Sequence, residues 1–178
     1  MTMKECRRSK NESAMNLYLI TGPWPHADLA TAACPRGGAE LAEDLRAWKD
    51  ANIEVVVSAL TLHEARMRDV VAEEEWCKHL GLHFVHFPIG DRETPVTIDE
   101  VDEVVREISA HLDASRSVVI HCRAGIGRAS LLAACTLVRA GIDADEAYAR
   151  ISLARGLMVP DSDAQRAWVR QFAERDVV

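Results

Sequence analysis

Two hydrophobic rhythms alternate along the chain. Short continuous apolar runs, rich in β-branched residues, predict strands at Leu17 to Ile20, Ile53 to Val57, Leu82 to Phe87 and Ser117 to Ile120. Between them, apolar residues recur at helical spacing. Leu41, Leu45 and Trp48 mark one face of a helix over Ala39 to Ala51. A charged helix is expected from His63 to Leu80, ended by Gly81. Val101, Val104, Val105, Ile108 and Leu112 follow a Thr97 or Asp99 cap. Gly127 to Ala140 reads as a helix closed by Gly141, and Asp143 to Ala154 and Asp161 to Ala173 as two more. This alternation predicts an α/β fold, with a central, mostly parallel sheet of four or five strands and helices on both faces. Ligands of such sheets bind beyond the carboxyl ends of the strands, where the segment after Ile120 lies.

A length of 178 residues suits one domain, expected over 17–178, after a disordered leader at 1–16. A net charge of -7 argues against a broad nucleic-acid footprint and against attraction to anionic lipid. No apolar run is long enough for membrane insertion, and the polar start shows no signal peptide. Cys6, Cys34, Cys77, Cys122 and Cys135 are scattered and odd in number, so neither a disulfide framework nor a zinc site is expected. His83 and His86 lie three apart on a strand and face opposite sides, which speaks against a metal site there. A cytoplasmic protein without metal or cofactor is the expectation, with its oligomeric state open.

The chemistry concentrates in His121-Cys122-Arg123-Ala124-Gly125-Ile126-Gly127-Arg128. A strand enters this loop and a helix leaves it. Two glycines permit positive φ and close approach. The amides of Arg123, Ala124, Gly125, Ile126, Gly127 and Arg128 can turn inward as an anion nest, with the helix N-terminus aimed at the same point. Arg128 adds a planar fork for phosphate oxygens. An ordinary thiol titrates near ~8.5, and helix N-termini or cations lower that value. The dipoles that hold a phosphate would therefore also hold a thiolate at Cys122.

This string resembles the His-Cys-x5-Arg signature of the cysteine-dependent protein tyrosine phosphatase superfamily, and most closely its small dual-specificity and atypical branch. The resemblance implies that Cys122 attacks phosphorus to form a phosphocysteine. It also implies that Arg128 binds the phosphoryl oxygens and that His121 sets the environment of the nucleophile. Asp91, in Phe87-Pro88-Ile89-Gly90-Asp91-Arg92-Glu93, resembles the family's mobile acid loop and would be acid and then base, with Glu93 as a rival. Gln165 resembles a late Gln that positions the hydrolytic water in some branches. Ala129 departs from the pattern, which has Ser or Thr after the Arg, so breakdown of the intermediate is expected to be slow.

The implied substrates are phosphorylated proteins or small phosphomonoesters: phosphotyrosine, with phosphoserine and phosphothreonine if the pocket is shallow. Arg123 leaves a phosphoinositide or inositol phosphate open. The rivals are a pseudophosphatase that binds phosphorylated partners, supported by Ala129, and a rhodanese-like sulfur-transfer enzyme. Arg155 reads as either facing the site or ending a helix, with the helix end preferred, and Trp24 as either a pocket edge or core.

Overall fold

The protein is described by a computed structural model over residues 17–175, so the leader expected at 1–16 lies outside the described residues. The β-branched runs form the middle of the sheet. Strand β5 (Ser117–His121) lies parallel to β3 (Ile53–Ser58), with Val56 opposite Val119 and Val57 opposite Ile120. Outside β3 runs β4 (His83–His86), also parallel. On the other side β2 (Leu29–Ala32) pairs parallel with β5, and β1 (Leu17–Ile20) closes the sheet antiparallel to β2. The order is β1-β2-β5-β3-β4.

Side chains alternate across a strand, so each central strand feeds two cores. Val55, Val57, Val118 and Ile120 join one core with α4 (Ile98–Asp113), α5 (Arg128–Arg139), α6 (Ala144–Arg155) and α7 (Asp163–Arg175). Ile53, Val56 and Val119 join the other, with α1 (Leu41–Asp50) and α3 (Glu73–Leu80). Every residue of α5 from Arg128 to Val138 is buried. Such a helix, apolar nearly all round, can lie only in an interior. Its N-terminus therefore stays where β5 delivers it.

The structure departs from the sequence expectations in two places and decides two alternatives they left open. β2 was not anticipated: its Leu-Ala-Thr-Ala has little β-branched character, and only burial between β1 and β5 makes it a strand. The helix expected at 63–80 is two, α2 (Leu62–Met67) and α3. Asp69 breaks it with φ +55, and its carbonyl accepts the Gly38 N–H at 2.8 Å. A Cβ on Gly37 would lie 1.9 Å from the Arg68 carbonyl oxygen, so glycine is required for this crossing. Thr97, not Asp99, caps α4, accepting the Glu100 N–H at 3.3 Å. Trp24 is no pocket edge: its indole N–H donates to Asp113 at the carboxyl end of α4.

Candidate active site

The loop 122–127 bridges the carboxyl end of β5 and the first turn of α5. Cys122 is almost fully buried, and its Sγ accepts the Gly125 N–H at 3.3 Å. Gly125 has φ +70, and a Cβ there would sit 2.3 Å from the Ala32 carbonyl oxygen at the end of β2. Both the backbone angle and the crowding demand glycine. Gly127 does not use positive φ. A Cβ there would meet Asp161 Oδ2 at 2.5 Å and the Gln165 amide at 3.0 Å, side-chain tips that would have to shift. Two outside hydrogen bonds hold the loop. Cys34 N–H donates to the Arg123 carbonyl at 3.2 Å, and Arg155 Nη2 donates to the Ala124 carbonyl at 3.0 Å.

Above Cys122 opens a cleft of about 200 Å³, lined by Asp91, Arg92, Cys122, Arg123, Ala124, Gly127, Arg128 and Asp161. Ile126 packs against the core instead. Arg128 is 2% exposed and tightly held. Its Nη1 donates to Glu64 Oε2 at 2.7 Å and the Ile89 carbonyl at 2.8 Å, and its Nη2 donates to Glu64 Oε1 at 2.8 Å and Asp91 Oδ1 at 3.2 Å. The end of the guanidinium thus belongs to Glu64, which leaves the Nε–Nη2 edge for the cleft. Asp91 Oδ2 also lies 3.3 Å from Arg123 Nη1, at the mouth. Glu93 turns away from the cleft, its carboxylate closing over Gly90.

Glu64 was not singled out from sequence. The Thr61-x-x-Glu64 spacing is a capping-box signature, and the box forms: Thr61 N–H donates to Glu64 Oε2 at 3.0 Å. What spacing could not reveal is the Arg128 fork, 64 positions away. The hydrogen bonds from Arg128, and after them the backbone bond from Thr61, hold the Glu64 carboxyl at about 2 despite opposition from burial. A carboxyl depressed in the folded state stabilises the fold above its ordinary value and stops doing so as pH falls through the depressed one. The unfolding midpoint of the native protein should therefore exceed that of Glu64→Gln at pH 5 to 7. This advantage should shrink between pH 4.5 and 2. A pH-independent gap in urea titrations would refute the assignment.

His121 is fully buried, with Nε2 2.8 Å from Glu73 Oε1 and the Trp48 ring 5.8 Å away by centroid. It faces the α1–α3 core, behind Cys122. Arg155 does more than end α6. Its guanidinium is buried, lies 3.8 Å from the Tyr18 ring centroid and braces the loop through Ala124. Burial pulls its pKa below the ordinary value, while Tyr18, Cys122 and Asp161 act the other way. Gln165, fully buried, donates to the Glu93 carbonyl at 3.1 Å and so ties α7 to the segment carrying Asp91. Burial pushes the Cys34 and Cys77 thiols up to about 12.

Residues 30–142 match the family described as polymorphic toxin system, DSP-PTPase phosphatase. The chain is 31% identical over 96 residues to cyclin-dependent kinase inhibitor 3 of Homo sapiens, covering 54% of this chain and 43% of that protein. It is 40% identical over 58 residues to the Rattus norvegicus protein of the same name, covering 33% of this chain and 27% of the relative. The chain thus spans less than half the length of these curated relatives. Its fold is similar to that of kinase associated phosphatase carrying serine for its catalytic cysteine. That likeness has a TM-score of 0.79 at 21% identity and covers 91% of this chain and 96% of the other.

Proposed function

The chain belongs to the DSP-PTPase phosphatase family of polymorphic toxin systems, and on that premise we propose that it hydrolyses phosphomonoesters through Cys122, without metal or cofactor. One observation carries the reading: Cys122 Sγ sits beneath an open cleft, at the N-terminus of a buried helix, with the Arg128 guanidinium oriented beside it. A phosphoryl dianion entering the cleft meets the loop amides and the Nε–Nη2 edge of Arg128. Cys122 attacks phosphorus in line, the leaving oxygen takes a proton from Asp91, and a phosphocysteine forms. Water, deprotonated by Asp91, then attacks the phosphocysteine and releases the Cys122 thiolate. The contact between Asp91 and Arg128 Nη2 is exchanged for a phosphoryl oxygen when substrate binds. His121 and Arg155 position the loop, and Gln165 holds the acid segment.

The proposed substrates are phosphorylated proteins, phosphotyrosine foremost, with phosphoserine and phosphothreonine admitted by the open cleft. The name of the curated relatives points to proteins of kinase signalling as a first set to assay. A reducing cytoplasm fits a mechanism that needs a free thiol. A second reading rests on Arg92, which joins Arg123 at the mouth: two cations there suit a substrate with further phosphates, such as an inositol phosphate. Relative kcat/KM on a phosphotyrosine peptide and an inositol phosphate decides between them.

The direct test is p-nitrophenyl phosphate hydrolysis in EDTA, followed by acid quench to trap phosphoenzyme. Turnover with a burst is expected, because Ala129, buried at the start of α5, offers no hydroxyl to the departing thiolate. Hydrogen bonds to charged groups contribute about 1.5–3 kcal/mol, so Ala129→Ser should speed the second step roughly tenfold or more and shrink the burst. Absence of turnover with retained phosphopeptide binding would favour the pseudophosphatase reading. A persulfide formed from thiosulfate would favour sulfur transfer.

A further inference from the structure

Far from the cleft, edge strand β4 meets α4 at a cluster with no part in phosphate chemistry. His83, the first residue of β4, pairs in register with Val55, whereas Ser58 of β3 lies level with His121 at the active-site end. His83 Nε2 is 2.9 Å from Glu107 Oε1, and the His83 and His111 ring centroids are 4.7 Å apart. Glu107 and His111 are four apart on α4 and so share a helix face. One donor atom from each of the three residues lies within 4.8 Å of the others. Opposite faces of β4 separate His83 from His86, whose Nε2 is 2.8 Å from the Leu60 carbonyl oxygen. The partner for His83 comes instead from the helix, which strand spacing alone could not indicate.

We propose that His83, Glu107 and His111 form a surface site for one divalent cation of the zinc class, clamping β4 to α4. Two imidazoles and a carboxylate are a known zinc donor set, with the fourth position left to water. Zinc holds such donors at about 2.0–2.2 Å, which places neighbouring donor atoms roughly 3 to 3.5 Å apart. The His83–Glu107 contact is already near that spacing, and half-exposed side-chain tips can close the rest while strand and helix keep the backbone fixed. Imidazole favours zinc, nickel and copper over calcium or magnesium. Arg116 competes with the cation: its Nη1 lies 3.0 Å from His111 Nδ1. An imidazole bound to metal through Nε2 carries its proton on Nδ1 and cannot accept from a guanidinium. Metal binding therefore releases Arg116, which has Glu54 as an alternative partner at 3.8 Å.

The test is calorimetric titration of the full chain with zinc chloride after EDTA treatment and dialysis, using Cys122→Ser so that the reactive thiol does not compete. One ion per chain is expected, and thermal unfolding should move to higher temperature with zinc. His111→Gln and His83→Gln should each weaken binding by at least roughly tenfold, since even outer-shell partners of metal sites carry that much. Arg116→Gln should tighten binding. Cobalt chloride should give a visible spectrum without thiolate-to-metal charge transfer. The proposal is overturned if no ion binds, if both histidine variants bind like the parent, if Arg116→Gln leaves affinity unchanged, or if cobalt reports sulfur ligation.

Discussion

The Cys122→Ser protein is expected to lose turnover of p-nitrophenyl phosphate by at least about 10,000-fold, the scale seen when a covalent nucleophile is removed, while still binding a phosphotyrosine peptide. The reason lies in what the substitution leaves intact. The loop amides are held by Gly125, by Cys34 N–H on the Arg123 carbonyl and by Arg155 on the Ala124 carbonyl. Arg128 is held by Glu64 and the Ile89 carbonyl. The Gly125 N–H does use the sulfur, and a serine Oγ can accept it in turn. A serine hydroxyl remains protonated at neutral pH, so binding persists without attack. Peptide affinity by calorimetry should stay within about tenfold of the native value, because the charge-assisted contacts to phosphate remain. If Cys122→Ser turned over at a native rate, another nucleophile would be acting and the proposed mechanism would fail.

Asp91→Asn is expected to lower kcat by roughly 100- to 10,000-fold, the usual contribution of a positioned general acid. Asparagine keeps the shape, and its single carbonyl oxygen can still accept from Arg128 Nη2 while the Arg123 Nη1 contact is lost, so the segment should hold its place. The Arg123 pair is half exposed and contributes little to stability. What asparagine cannot do is give up a proton. The loss in kcat/KM, which reports formation of the phosphocysteine, should therefore be small for p-nitrophenyl phosphate, whose leaving group needs little help, and large for a phosphoserine peptide. Equal losses in kcat/KM on both substrates would remove Asp91 from the acid role. Glu93→Gln is the control: the Glu93 side chain closes over Gly90, outside the cleft lining, and its substitution should leave both rates near native.

Much of this protein could be read along the chain, and the legible part has one character: it is local. The β-branched runs around Val55–Val57 and Val118–Ile120 become central strands, because a short continuous apolar run buried on both faces is a property of a few consecutive residues. The Cys122–Arg128 loop announces itself for the same reason. Strand, cysteine, two glycines, arginine and helix N-terminus are contiguous, so their relative placement follows from backbone geometry. Family membership adds the reaction class.

Tertiary structure decided the rest. β2 is a strand only because β1 and β5 flank it; its alanines carry no preference of their own. The single helix expected at 63–80 breaks because the 68–69 turn must pass over Gly37 and Gly38. Glu64 was visible as a cap but not as the orienting partner of Arg128, 64 positions away, and Arg155 reaches the loop across 31. The His83–Glu107–His111 cluster exists only because α4 packs beside β4. Local rules specify which backbone each segment adopts. Which side chains then share a charge or a hydrogen bond depends on how the buried faces stack, and that is settled only when the whole core packs.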